Sequence, residues 1–383
     1  MKYRVTCLTP TLVGDGQRLA PIDYMVWKDH VNVLDQRRIF RLLAKGPRLE
    51  GYLSQLKRAD KLDFGSWGGF AQNYAGRRIP FEHASSTQYW EKARAEHLFI
   101  PTFSTGPSGP YLPGTAIKGA LRTGVVHGRM TDRSMQDVSE RATSEGRLPR
   151  RVATSVEDAA LGSGGSDSMR TMSASDSNTI SENSFKIYLL RVATLASRGP
   201  DKFELAWKQS PGGSVKRPDD STPTFAEMAV PGTTFEGGWH ENGFLSQPEI
   251  AKALRKRDRL DLAALFGLVN SYTEHLLGMQ KQYAEWTSLA LLKSTIEQLE
   301  ARLNEVRSAD RGCVFPLGWG AGFLSKAAFL DTQDQAYRQV LKQVGFYSRA
   351  IQSGLPFPKT RRIVFLAGQP ATLAGFVHFE IGR

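Results

Sequence analysis

Pro316-Leu317-Gly318-Trp319-Gly320-Ala321-Gly322-Phe323-Leu324-Ser325-Lys326 sets a glycine at every second position and ends on a lysine. Glycine leaves room where a backbone must approach another surface closely, and it takes positive φ without a Cβ penalty. A lysine at the exit is placed to meet negative charge. The run reads as a loop pressed against a phosphate backbone or as a plain glycine-rich turn between strand and helix. A second stretch, two hundred residues earlier, bears on the choice. In Tyr111-Leu112-Pro113-Gly114-Thr115-Ala116-Ile117-Lys118-Gly119-Ala120-Leu121-Arg122, Pro-Gly-Thr stops one element and starts a helix. The Thr115 hydroxyl is expected to cap that helix. Lys118 and Arg122, four apart, share one helical face, while Ile117 and Leu121 share the inward one. A helix N-terminus flanked by two cations suits an anion.

Leu112 to Arg122 resembles the Pro-Gly-Ser-Ser-Leu-Lys-Gly-Ala-Leu-Arg signature of the RAMP superfamily found in CRISPR effector complexes. Leu317 to Lys326 is similar to that family's C-terminal glycine-rich loop. Leu8-Thr9-Pro10, Val13-Gly14-Asp15-Gly16 and Pro21-Ile22-Asp23-Tyr24 fit its opening, and Asp167-Ser168-Met169-Arg170 with Ser175-Asp176-Ser177 fits its middle. Order and spacing most resemble the fifth-subunit family of the type III-A (Csm) complex, over nearly the whole chain. The resemblance implies an α+β fold with a ferredoxin-like, RRM-like core. It also implies a non-catalytic subunit that caps the 3′ end of the CRISPR RNA in a complex targeting RNA and transcribed DNA. The implied partners are that guide, target RNA near the guide 3′ end, the backbone RAMP subunits and the small helical subunits.

Bulk charge agrees. Fifty Lys+Arg against 38 Asp+Glu give +12, which favours a polyanionic partner. Residues 1–150 hold 23 Lys+Arg against 14 Asp+Glu, and residues 312–383 hold 8 against 3; residues 151–247 are net acidic, 9 against 12. The excess gathers in the two segments that carry the glycine motifs. Phosphate contacts would involve Lys118, Arg122 and the amides near Gly114 and Thr115 at one site, and Gly318, Gly320, Gly322 and Lys326 at another. Trp319 has two fates, base stacking or core, and Phe323 is expected in the core.

Five segments follow from pattern: 1–131 with the Pro-Gly-Thr helix, a polar insertion at 132–184, mixed strand and loop at 185–245, helices at 246–311, and a last segment at 312–383. Tyr3–Leu8 alternates as a first strand, and Tyr24–Trp27 with Val31–Leu34 forms a hairpin. Asp35 caps a short helix whose apolar side holds Ile39, Phe40, Leu42 and Leu43, making half of a ferredoxin-like unit. Residues 132–184 centre on Leu161-Gly162-Ser163-Gly164-Gly165-Ser166 and read as a mobile loop, with Asp167, Arg170 and Asp176 available to tie it down. Ser246-Gln247-Pro248-Glu249 reads as a capping box. Leu262, Leu265, Phe266, Val269, Tyr272 and Leu276 form one apolar stripe, and Leu292, Ile296, Leu299, Leu303 and Val306 another. Lys252, Arg255, Lys256, Arg257 and Arg259 cluster ahead of them, as a solvated face or a clamp on phosphates. Arg362–Leu366 and Gly375–Ile381 read as closing strands.

Cys7 and Cys313 make neither a disulfide framework nor a metal set, and no cofactor is implied. No apolar run approaches the ~20 residues of a membrane span, and Met1-Lys2 leads straight into strand; a soluble, cytoplasmic protein is expected. The seven histidines are scattered, no Walker A run follows a strand, and Gly318–Phe323 does not match the dinucleotide-binding glycine pattern. The repeating backbone subunit related to this family cuts RNA with a loop aspartate, whose weak counterpart here is Asp23, with Asp15 weaker. A guide-processing endoribonuclease of the same fold would draw on Tyr24, Lys28 or His30. A protein of another class, a scaffold, would act through the leucine stripes.

Overall fold

The computed structural model describes residues 1–44, 48–58, 61–62, 74–144, 151–199, 202–256 and 260–382. Its centre is an antiparallel five-stranded sheet ordered Gly312–Pro316, Phe376–Gly382, Lys2–Cys7, Thr234–Glu241 and Met172–Ser177. The first strand forms because its alternation sorts cleanly: Tyr3, Val5 and Cys7 are buried, while Lys2 and Arg4 face water. On the wet face Arg4 sits opposite Glu236 and Glu380 of the two flanking strands and bonds both carboxylates, at 2.9 and 3.3 Å. On the dry face Phe379 collects the rings of Tyr3, Trp239, Phe266 and Phe315.

A second antiparallel sheet runs Ser214–Val215, Lys202–Lys208, Phe185–Gly199, Thr360–Leu366 and Gln369–Thr372, with Thr224–Ala229 beside the start of the 15-residue strand Phe185–Gly199. Two antiparallel helices, Leu262–Thr287 and Ala290–Ala309, cover both sheets. The two apolar stripes are their inner faces: Leu265, Val269, Leu276, Ile296 and Leu303 are buried. Those side chains are therefore committed within the chain, which removes the route by which a scaffold would act through them.

The hairpin Tyr24–Trp27 and His30–Leu34 pairs with Ala75–Pro80 in a separate three-stranded sheet instead of entering either large one. Its Asp35 caps the helix Gln36–Leu43 by accepting from the Arg38 amide at 3.0 Å. Ile39 and Leu43 are buried with Tyr52, whereas Phe40 stands largely exposed. Arg77 ties this lobe to the second sheet through Glu227, whose carboxylate is fully buried.

Two local expectations are corrected. Among its described residues the polar stretch 132–184 builds the helices Asp132–Ser144 and Thr154–Leu161, three short 3-10 turns and the edge strand Met172–Ser177. Val138, Val156, Leu161, Met169 and Met172 are its anchors, too sparse to announce themselves in composition. The helix Pro248–Ala253 starts on proline as read, but no side chain caps it and Ser246 lies in the preceding turn. Of the basic cluster, Arg257 and Arg259 lie outside the described residues, and Lys256 Nζ donates to the Leu245 carbonyl. Among the described residues no helix is long and apolar enough to cross a membrane.

Candidate nucleic-acid interface

The Pro-Gly-Thr motif forms the first two turns of the helix Gly114–Arg129, whose Ile117, Leu121 and Val125 are fully buried. Pro113 occupies the cap position and no side chain caps from there, so Thr115 lies exposed in the first turn and does not play the capping role read for it. The cap comes from far away: Asp176 Oδ1 accepts from the Gly114 amide at 2.9 Å. Glycine is required there by space, since a Cβ would run into the carbonyl oxygens of Ala174 and Ser175. Lys118 Nζ donates to the Met172 carbonyl at 2.9 Å, and burial pushes its pKa down. Arg122 spans Asp167 at 2.7 Å and Glu157 at 3.0 Å. The positive face of this helix is thus turned onto the acidic middle of the chain. Asp167 and Asp176 do tie that segment down, while Arg170 bonds only the Gly164 carbonyl within it.

The glycine run leaves the strand Gly312–Pro316 with Gly318, Gly320 and Gly322 at φ 84, 90 and 91°. Its backbone is held at both sides: Leu317 N–H donates to the Gly375 carbonyl and Trp319 N–H to the Leu12 carbonyl, each at 2.7 Å. Gly318 lies against that Leu12 carbonyl so closely that a Cβ would strike it. Gly322 has the same backbone sign but open space around it. Trp319 is half-buried with the Arg362 guanidinium 4.3 Å above its ring. Phe323 turns inward, edge-on to Tyr347 and Phe357 at 5.2 Å. Lys326 ends the run, exposed.

These pieces surround one groove of about 860 Å³. Gly318, Trp319, Gly320, Gly322, Ser325 and Lys326 form one wall, and the turn holding Gly14, Gly16, Gln17 and Arg18 forms another. The third wall is a small-residue face of the motif helix, Ala116, Gly119, Ala120 and Thr123, at the spacing that stacks side chains on one side of a helix. So the two motifs do meet, though Lys118 and Arg122 do not line the groove. Among the described residues its cations are Arg18, Lys326 and Arg362, and no carboxylate lines it. Arg18 stacks over Phe99 at 4.4 Å. Arg362 is mostly buried, its Nε lacks a hydrogen-bond partner among the described residues, and desolvation lowers its pKa. A positive, glycine-floored trough with a cation held short of hydrogen bonds suits a sugar-phosphate backbone better than a neutral ligand. Arg18 and Arg362 escaped the sequence reading because neither belongs to a glycine motif; the Gly14-Asp15-Gly16 turn was the nearest signal.

The carboxylates weighed as nucleolytic are engaged in turns. Asp23 accepts from the Ala20 amide at 2.7 Å, and Asp15 accepts from the Gln17 amide at 3.0 Å. Tyr24 is buried; its hydroxyl donates to the Leu98 carbonyl and accepts from Trp90 Nε1, and burial pushes its pKa up. Lys28 occupies the hairpin turn, and His30 pairs with Asp29 at 2.7 Å. Among the described residues no cluster of His, Cys, Asp and Glu is arranged to hold a metal ion.

A family model described as the RAMP superfamily matches residues 4–325. Two solved structures share the fold. A chain from a structure described as "Cryo-EM structure of Csm-crRNA-target RNA ternary complex in type III-A CRISPR-Cas system" aligns with a TM-score of 0.67 at 19% identity, covering 99% of this chain and 100% of that one. A chain from "Crystal structure of T.onnurineus Csm5" aligns with a TM-score of 0.61 at 17% identity, covering 98% and 99%. No curated protein matches this sequence.

Proposed function

The chain belongs to the RAMP superfamily, and from that premise we propose that it is the RNA-binding subunit that caps the guide 3′ end in a type III-A effector, without cutting RNA itself. The observation that carries this reading is the groove: cations from three separate parts of the chain converge on a glycine floor with no carboxylate among them. Backbone amides and point charges of this kind fix the register of a strand and carry little sequence information. That is the requirement for holding guides of many sequences. Gly318, Trp319, Gly320, Gly322 and Lys326 serve directly, with Arg18 and Arg362. Gly114, Lys118 and Arg122 act behind them, holding the motif helix so that its small face stays in the groove, while Thr115 stands exposed in its first turn. Neighbouring RAMP and small helical subunits and target RNA near the guide end complete the assembly, which would be cytoplasmic. The engagement of Asp23, Tyr24 and His30 in structural hydrogen bonds supports a subunit that leaves cleavage to others.

The test is protection of the guide. In the assembled complex, 3′ exonuclease should leave the guide end intact when this chain is present and shorten it when the chain carries Arg18→Ala and Lys326→Ala together. Equal protection with and without the chain would sink the capping role. Site-specific product from guide precursor and the purified chain alone would replace it with processing.

A further inference from the structure

Past the glycine loop the surface does not become neutral. A second hollow, about 440 Å³, is lined by Phe323, Phe346, Tyr347, Phe357 and Pro358 together with Lys208, Arg349 and Lys359. The two linings interleave in the chain: Gly322, Ser325 and Lys326 line the groove, and Phe323 between them lines this hollow. Phe346 is 87% exposed, the highest figure among the exposed large apolar side chains, on the short helix Gly345–Gln352. It is braced edge-on by Tyr347 at 5.2 Å, and Tyr347 in turn stands against Phe323 and Phe357. The ring is presented by a chain of edge-on aromatic contacts and is left largely to solvent. A lone exposed apolar residue needs no explanation, but this one sits among three cations. None of Lys208, Arg349 and Lys359 has an ion-pair partner among the described residues, and no carboxylate lines the hollow. Lys359 has its pKa lowered, first by burial and then by Lys208, so two like charges are held near one another without a counter-ion.

From this we propose that Phe346 and its flanking cations form a stacking platform for an unpaired nucleotide of the same RNA strand that lies in the groove. It rests on the RNA-binding reading of the groove and adds to it: the strand continues beyond Lys326, splays one base onto Phe346 and sets its phosphates against Lys208, Arg349 and Lys359. A ring stacks on any base, so the platform is tolerant of sequence. Cations and an open ring without carboxylates fit a nucleic-acid strand and would leave an acidic peptide without a hydrogen-bond frame.

The experiment uses the full chain and a fluorescein-labelled 16-nucleotide oligouridylate, followed by anisotropy. Because Phe346 touches solvent on most of its surface, Phe346→Ala should keep the melting temperature while weakening binding about ten-fold. Phe346→Trp should restore it. Lys208→Ala with Lys359→Ala should flatten the dependence of log affinity on log salt by roughly one to two phosphate equivalents. A probe carrying 4-thiouridine should crosslink to the peptide containing Phe346. If Phe346→Ala binds as tightly as the parent while Arg18→Ala and Lys326→Ala weaken binding, the platform is overturned and the groove stands. If neither pair of sites affects binding, the groove reading falls and the platform falls with it.

Discussion

The two glycine motifs look alike in sequence and do opposite work. The helix motif at Gly114 to Arg122 directs its amide and both cations inward, onto Asp176, Met172, Asp167 and Glu157. The loop motif at Gly318 to Lys326 directs its backbone against Leu12 and Gly375 and leaves its lysine outside. A basic residue next to glycine is therefore no guide to which surface the charge serves. What decides is whether an acidic segment elsewhere in the chain returns to it. Here the acidic middle forms ion pairs with the helix, and among the described residues Lys326 of the loop forms none.

That contrast can be broken most severely at Gly114. Gly114→Ala would drive a methyl into two carbonyl oxygens, and we expect a loss of about 3 kcal/mol or more in stability, read by denaturant melting. A variant as stable as the parent would show that the helix start is not held as described. Next comes Arg18→Ala with Lys326→Ala. Guide RNA binding should weaken and the salt slope should fall by about 1.4 on the single-strand scale, with no change in melting. Arg122→Ala should do the reverse. Of its partners Glu157 is about half-exposed and Asp167 mostly buried, so a destabilisation of about 1 kcal/mol is expected, with RNA affinity of the folded protein unchanged. Loss of affinity without loss of stability would move Arg122 from the frame to the interface.

The smallest effect is a pH response. His127 and His378 have pKa values lowered below 6.5 chiefly by burial. The fold therefore favours their neutral forms, and the stability this supplies is present above the unfolded value and lost as pH falls from there through the lowered folded value. Melting should weaken as pH falls below 6.5, and less so in His127→Gln. No histidine lines the groove, so RNA affinity of the still-folded protein should not track those two groups.

Much of the frame was legible because the forces that make it are local. Tyr3, Val5 and Cys7 alternate, Asp35 sits one residue ahead of its helix, and the stripes from Leu265 to Val306 repeat at helical spacing. The site was less legible because its parts are local only in space. The cap on Gly114 comes from Asp176, and the cation over Trp319 comes from a strand that otherwise reads as plain core. The segment 132–184 escaped for a related reason: it folds by lending its carboxylates to another element, so its own sequence shows polarity without the apolar pattern it leans on.

The central place of Lys2–Cys7 in the first sheet governs how the molecule comes to exist. Cys7 is paired with Val377, 370 positions away, and Thr6 with Thr234 on the other side. At translation rates of about 5–20 residues per second, this strand waits roughly 20–75 s between its synthesis and the arrival of its last neighbour. Throughout that time Tyr3, Val5 and Cys7 have no finished face to lie on. Such long-range pairing predicts slow folding, and it leaves the first strand without its second neighbour until Phe376–Gly382 has been made.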